Sequence, residues 1–284
     1  MKKILVTGAG SYVGTSFINY MKRWSDEYVV DEIDMVDGSW RERDFSQYDA
    51  VFHVAGIAHQ KETVENAPLY YKVNRDLAFE TAEKAKKEGV KQFIFLSSMS
   101  VYGLTTGVVT KETVPRPNTN YGKSKLQAEE KIAPLADSRF GVVVLRPPMV
   151  YGPGCRGNFQ TLLKLAKKTP VFPKIANRRS MIYIDNLSAL IKICVDGELT
   201  GLYLPQNKEY ANTTEIVEIL AATLGRKIIV SATLGLGVAL FRPCIGALQK
   251  AFGSLIYQNV EELEFEYCVC DNREAFMKSV ADIK

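Results

Sequence analysis

Residues Lys3 to Gly14 read KILVTGAGSYVG. The apolar run Lys3–Thr7 suits a buried parallel strand. A glycine-rich turn follows, and a helical pattern continues from Thr15 to about Trp24. Glycines in such a turn let the backbone approach a pyrophosphate, and the helix N-terminus behind it offers N–H groups and positive dipole. The turn alone is a common feature; its position in the first strand–helix unit gives it weight.

The pattern repeats outward from there. Val29 to Ile33 reads as a second strand ending at Asp34, and Ala50 to Val54 as a third, closed by Ala55-Gly56. Tyr70 to Glu88 is a long charged helix stopped by Gly89. Gln92 to Leu96 is a buried strand, a loop with Pro115 and Pro117 leads to a helix at Tyr121, and Val142 to Leu145 is a further strand ended by Arg146-Pro147-Pro148. Strands alternating with helices predict an α/β fold with a doubly wound parallel (Rossmann) sheet.

After Gly154 the rhythm loosens. Helices are expected at Asn158–Lys168, Asn186–Val195 and Thr213–Leu224, with a strand at Met181–Ile184. Asn212 or Thr213 caps the last helix, and Gly225 ends it. The expected division is a dinucleotide-binding domain at 1–155 and a smaller substrate-binding domain at 156–284, with some chain crossing back to the sheet. Ile228 to Phe241 is apolar but shorter than the roughly 20 residues of a membrane span. Burial in the second domain is expected there, with a membrane-surface contact as the alternative.

The chain has 284 residues, enough for one large or two small domains. A net charge of +4 and no aromatic-interleaved basic stripe give no reason to expect nucleic acid. The five cysteines are scattered and form no CxxC pair, which suits reduced thiols and no metal site. A strand at the very start leaves no room for a signal peptide, so a cytoplasmic location is expected.

The chemistry centres on YGKSK at Tyr121–Lys125. Residues four apart on a helix share a face, so phenol and ammonium can point into one space. A phenol holds its proton to about pH 10, and a fixed cation nearby lowers that value. Such a pair can take a proton from an alcohol as hydride leaves the same carbon. The strand Gln92–Leu96 ends in Ser97, Ser98 and Ser100, at the sheet edge where open α/β folds place ligands. A carboxylate after the second strand can accept both ribose hydroxyls; Asp34 has the expected interval from Gly14, with Asp31, Glu32 and Asp37 as competitors. No arginine directly follows Asp34, which favours NAD over NADP, and Arg41 and Arg43 are the cations that could reverse this.

TGAGSYVG, VFHVAGIAH, KVNRDLA, FLSSMSVYG, YGKSK, LRPPMVYGPG and NRRSMIYIDNL occur in this order between residue 4 and about 205. Together they resemble the extended short-chain dehydrogenase/reductases, in the branch of NAD-dependent nucleotide-sugar epimerases, dehydratases and 4-keto reductases. The resemblance implies that Gly8, Ser11, Tyr12, Val13 and Gly14 hold the pyrophosphate. It implies Asp34 on the adenosine ribose, Asp44 and Phe45 near the adenine, and Val54, Ala55 and Gly56 along the cofactor cleft with Asn74 behind it. Tyr121 would be the acid/base and Ser98 its catalytic partner. Lys125 would bind the nicotinamide ribose and depress the Tyr121 pKa, and Pro148 would abut the nicotinamide. Arg179 would grip the substrate diphosphate.

Three positions depart from the family pattern. Ser11 stands at the usual middle glycine. Met149 replaces a substrate-binding asparagine, for which Asn158 and His59 are the candidate substitutes. Asn186 replaces a frequent aspartate. The activity implied is a nucleotide-sugar 4-epimerase acting on a UDP-hexose with NAD, with a 4-keto nucleotide-sugar reductase as runner-up and a non-catalytic dinucleotide sensor behind it. A dehydratase would need an acidic pair where Met99 and Ser100 stand. A homodimer through the helices at 70–88 and 121–134 is expected on the same resemblance.

Overall fold

Ile4, Leu5 and Val6 have no solvent exposure, which is why the opening strand lies inside the sheet. The structure is a computed structural model that describes residues 1–58, 60–258 and 265–281. The chain runs β1 (Lys2–Thr7), α1 (Tyr12–Met21), β2 (Tyr28–Ile33), β3 (Ala50–His53), α2 (Ala67–Tyr70), α3 (Ala78–Lys87), β4 (Gln92–Leu96), β5 (Gly107–Val109), α4 (Asn120–Ile132) and β6 (Gly141–Leu145). It continues through β7 (Met149–Tyr151), α5 (Asn158–Lys168), β8 (Val171–Pro173), β9 (Met181–Tyr183), α6 (Ile184–Asp196), β10 (Gly201–Tyr203) and α7 (Thr213–Thr223). The last elements are β11 (Ile229–Ser231), α8 (Ala232–Phe241), α9 (Gly246–Phe252), β12 (Leu255–Tyr257) and α10 (Asn272–Lys278).

These elements form two compact units. The first holds Met1–Gly103, Pro115–Pro147 and Leu187–Pro205; the second holds Leu104–Val114, Pro148–Asn186 and Gln206–Lys284.

The first unit is built on a parallel sheet in the order β10-β6-β4-β3-β1-β2. From β1 the chain goes outward to β2, then returns to lay β3 on the other side. Strand order therefore reverses between β1 and β3, and the ends of these strands flank a crevice of the kind that binds ligands in open α/β sheets. Alternate side chains of β3 point to opposite faces. Val51 joins the cluster with Ala82, Ala85, Ala128 and Ile132 of α3 and α4, while Phe52 packs edge-on to Phe17 of α1 at 5.3 Å. The connection after β2 is polar in sequence, yet Trp40, Phe45 and Tyr48 anchor it in this core.

The expected helix at Tyr70–Glu88 begins earlier, at Ala67, and is not regular. A π-helical turn at Tyr71–Leu77 joins α2 to α3. The wider turn carries the wholly buried Asn74; such π segments occur often at functional sites.

The second unit contains three short parallel pairs, β5 with β12, β7 with β9 and β8 with β11. Tyr151, Phe159 and Phe276 stack in its core, with Tyr151 at 5.2 Å from Phe159 and 4.9 Å from Phe276. Asn186 is fully buried there. It donates to the Cys270 carbonyl at 2.9 Å and accepts from the Cys270 N–H at 3.0 Å. An amide meets both needs; a carboxylate would face the carbonyl with no proton.

The expected burial of Ile228–Phe241 is overturned. Only Gly235 of α8 is buried, while Leu236 and Leu240 are each 72% exposed. Apolar composition reports the tendency of a segment to leave water; it does not say what covers it.

Candidate active site

The glycine turn sits at the β1–β3 junction. Gly8 has φ +90°, and a Cβ there would lie 2.9 Å from the Ala55 Cα. Only glycine allows both this left-handed backbone and this approach. Gly10, at φ +71°, has nothing within 4 Å of its Cβ position, so the turn is open on that side. Ser11 is the N-cap of α1, and its Oγ accepts the Gly14 N–H at 3.3 Å. The serine at the middle-glycine position thus caps the helix behind Tyr12 and Val13. An open glycine turn before a capped helix N-terminus fits the pyrophosphate of a dinucleotide.

The acids after β2 separate by their partners. Asp31 accepts from Tyr48 at 2.7 Å and lies 3.5 Å from Arg43. Asp37 is taken up by Ser39, and Glu32 reaches the Gly10 N–H at 3.4 Å. Asp34 is exposed and accepts the Val36 N–H at 2.9 Å. Arg41 is paired with Glu80 and Arg43 with Asp31, so both arginines that could serve a 2′-phosphate already have carboxylates. Asp44 is exposed, and its bonds from the Ser46 hydroxyl and N–H hold its pKa below the usual range. Phe45, expected near the adenine, has its ring in the core under the Lys84 ammonium, and its N–H goes to Glu88.

Val54 and Ala55 are buried beside Gly56 at the end of β3. A Cβ on Gly56 would lie 2.9 Å from Asn74 Oδ1 and 3.4 Å from Lys125 Nζ, so these three positions meet. Asn74 Oδ1 accepts the Ile57 N–H at 2.7 Å, and its Nδ2 donates to Ser124 Oγ at 3.1 Å. It ties the loop after β3 to α4.

Helix α4 presents the central pair. Thr119 caps it by accepting the Gly122 N–H, and Glu62 accepts the N–H groups of Asn120 and Tyr121 at 2.9 and 3.0 Å. A carboxylate at a helix N-terminus is well placed against the dipole. Of the three serines, Ser98 is the one whose side chain acts on the Tyr121 phenol, drawing its pKa down. Ser98 also caps the short turn Met99–Tyr102, while Ser97 is buried against Glu129. Lys125 is buried, donates to the Leu96 carbonyl at 2.7 Å and lies 4.7 Å from the Phe95 ring centre.

The electrostatics correct one expectation. Tyr121 titrates above the ordinary phenol value, because burial disfavours phenolate and outweighs the opposing pull of Ser98. The cation that was to depress it is itself depressed. Burial brings Lys125 down to about 8, against an opposing pull from Glu129. His53, buried on β3 with its Nδ1 2.9 Å from Thr7 Oγ1, is pushed down to about 3 by burial and then by Lys125, so it is neutral.

Glu129 continues the face of Tyr121 and Lys125 by one more turn. It holds a buried ion pair with Arg146, which also donates to Tyr102 at 2.8 Å. Sequence reading missed this quartet of Ser97, Tyr102, Glu129 and Arg146, as it missed Glu62.

The remaining expected residues belong to the second unit. Pro148 is buried, Met149 opens β7, and Asn158 is exposed at the start of α5. Arg179 donates through Nη1 to the carbonyls of Lys250 and Ala251 at 2.8 and 3.3 Å, at the end of α9. Burial lowers its pKa. His59 lies outside the described residues. Among the described residues no His, Cys, Asp and Glu cluster could hold a metal ion, and no helix is long and apolar enough to cross a membrane.

The model of the NAD-dependent epimerase/dehydratase family matches residues 4–196. The chain belongs to that family. Among its relatives is the UDP-glucose 4-epimerase of Vibrio cholerae, 34% identical over 252 residues, covering 79% of this chain and 76% of the relative. The N-acetyl-alpha-D-glucosaminyl-diphospho-ditrans,octacis-undecaprenol 4-epimerase of Escherichia coli O157:H7 is 29% identical over 244 residues, covering 79% and 73%. In fold the chain is similar to the UDP-glucuronic acid 4-epimerase of Bacillus cereus in complex with NAD, with TM-score 0.74, 19% identity and coverage of 98% and 97%. Family membership makes the chain an NAD-dependent enzyme, and the open glycine turn with its paired-off arginines fits that cofactor.

Proposed function

We propose that this chain is a nucleotide-sugar 4-epimerase of the UDP-hexose type. The action of the Ser98 side chain on the Tyr121 phenol, on the helix that also carries Lys125, is the observation that supports it most. Both curated relatives named above are 4-epimerases, one named for UDP-glucose and one for a lipid-linked sugar. Bound NAD supplies a hydride acceptor that is also the later donor. Tyr121 takes the proton of the sugar 4-hydroxyl as hydride leaves C4, and Ser98 donates to the same oxygen. The 4-keto sugar turns over, hydride returns to the opposite face of C4, and Tyr121 gives the proton back. Two electrons leave and two return, so the product is an isomer.

Gly8, Ser11–Gly14, Asp34 and Asn74 serve the cofactor in this reading, with Lys125 on the nicotinamide ribose and Pro148 beside the ring. Met149, Asn158 and Arg179 serve the sugar nucleotide, with residues 156–284 supplying most of the substrate-binding part. Arg179 then has to exchange its helix carbonyls for a diphosphate, which suits a planar guanidinium. The enzyme works in the cytoplasm as a homodimer paired through the helices at 70–88 and 121–134, and its product enters polysaccharide biosynthesis.

Incubation with UDP-hexoses tests the activity. C4 inversion without net NADH formation supports it. Net consumption of NAD(P)H on a 4-keto nucleotide sugar, with no inversion, contradicts it and selects the reductase. A monomeric mass at micromolar concentration contradicts the dimer.

A further inference from the structure

Helix α8 and the turn after it form an apolar surface that the chemistry above does not use. Gly235 seats the helix: a Cβ there would lie 2.3 Å from the Lys174 carbonyl oxygen, so the helix rests on that segment backbone to backbone. This contact turns the larger side chains away. Leu234, Leu236, Leu240 and Phe241 are 50, 72, 72 and 57% exposed, and Ile229 and Ile245 on either side are 67 and 44% exposed. Contiguous exposed apolar residues on this scale mark an interaction surface.

The two stretches of sequence that build it carry charges of one sign. Residues 227–260 contain no Asp or Glu, but contain Lys227, Arg242 and Lys250. Residues 149–184 contain none either, and they supply the exposed Lys167, Lys168 and Lys174, the last directly under Gly235. A soluble anion would use the cations and leave the leucines without a partner. An anionic bilayer uses both, with acyl chains for the leucines and headgroup phosphates for the lysines.

We propose that α8 and the following turn dock this protein on an anionic membrane surface. Ten residues of helix cannot cross the hydrocarbon, so α8 lies in the plane of the interface. The proposal stands apart from the epimerase assignment, since none of these side chains belongs to the proposed active site.

Sedimentation with lipid vesicles tests it. The protein is expected to pellet with mixed phosphatidylcholine–phosphatidylglycerol vesicles, to stay in solution with phosphatidylcholine alone, and to bind less at raised salt. The double substitution Leu236→Glu with Leu240→Glu should reduce vesicle binding by about tenfold or more. Its thermal midpoint and its turnover of a soluble sugar nucleotide should stay unchanged. Wild-type protein that never pellets with the mixed vesicles overturns the proposal, as does binding that the double substitution leaves intact. A wild-type dimer that the substitution splits, without vesicle binding, overturns it in favour of a second copy of the chain. Vesicle binding by a protein that fails to invert C4 leaves the docking surface standing while the epimerase assignment falls.

Discussion

The Lys125 ammonium donates to the Leu96 carbonyl at 2.7 Å, from a buried position on the face of α4 that also carries Tyr121. Burial brings its pKa to about 8. The unfolded chain keeps that proton to about pH 10.4, so between the two values it binds more protons than the folded chain. The Lys125 contribution to stability therefore rises with pH across this window, by roughly 3 kcal/mol in all. Urea unfolding of the protein and of Lys125→Met at pH 7 and pH 10 checks this. The intact protein should gain on the variant as pH rises, and equal pH dependence would show that the lysine is not held in this environment.

Ser98 is the group that draws the Tyr121 pKa down against burial. Ser98→Ala should move the acidic limb of the pH–rate profile, where the rate rises as Tyr121 loses its proton, to higher pH and lower the rate at neutrality. Tyr121→Phe removes the proton carrier and should cost about 10²–10⁴ in turnover with NAD binding retained. Rate profiles over pH and a cofactor titration read both effects.

The buried pair Glu129–Arg146 supports α4 from below. Arg146→Met leaves a buried carboxylate without its partner and should destabilise the protein by about 3–5 kcal/mol. Adding Glu129→Gln to that variant should recover part of the loss. Denaturant midpoints of the two variants measure it, and two equal losses would show that the charge on Glu129 is not what the arginine compensates.

Asp34 is exposed after β2, while Arg41 and Arg43 are held by Glu80 and Asp31. Asp34→Ser should weaken NAD binding by about tenfold to a hundredfold, the worth of a hydrogen bond to a charged group. NADP binding should weaken less. Fluorescence titration with both dinucleotides checks the ratio, and unchanged NAD affinity would move the ribose contact to Glu32.

The glycine turn, the sheet and the Tyr121–Lys125 pair were legible because each is written in local spacing: a strand, then glycines, then a helix, or two side chains one helical turn apart. Glu129 obeys the same spacing, one turn further on. What hid it is that its partners Ser97 and Arg146 come from the ends of other strands, and a burial-dependent ion pair leaves no trace in one helix. Glu62 was hidden for the same reason, since it caps α4 from a loop far away in sequence. Phe45 was placed near the adenine by the resemblance alone, and its ring belongs to the core around Trp40. The Tyr121 pKa was misjudged because charge proximity is visible in a helix pattern and desolvation is not. Exposed α8 misled in the opposite sense, for hydrophobic sequence carries no record of what faces it.

The epimerase assignment is tested most directly with UDP-glucose carrying deuterium at C4. Nuclear magnetic resonance follows the sugar in ordinary water with NAD present. The expected result is a C4-inverted product that keeps the deuterium, with no net NADH, because the hydride that leaves C4 returns to the same carbon. Inversion with the label lost to solvent, or no inversion while a 4-keto sugar is reduced, contradicts it.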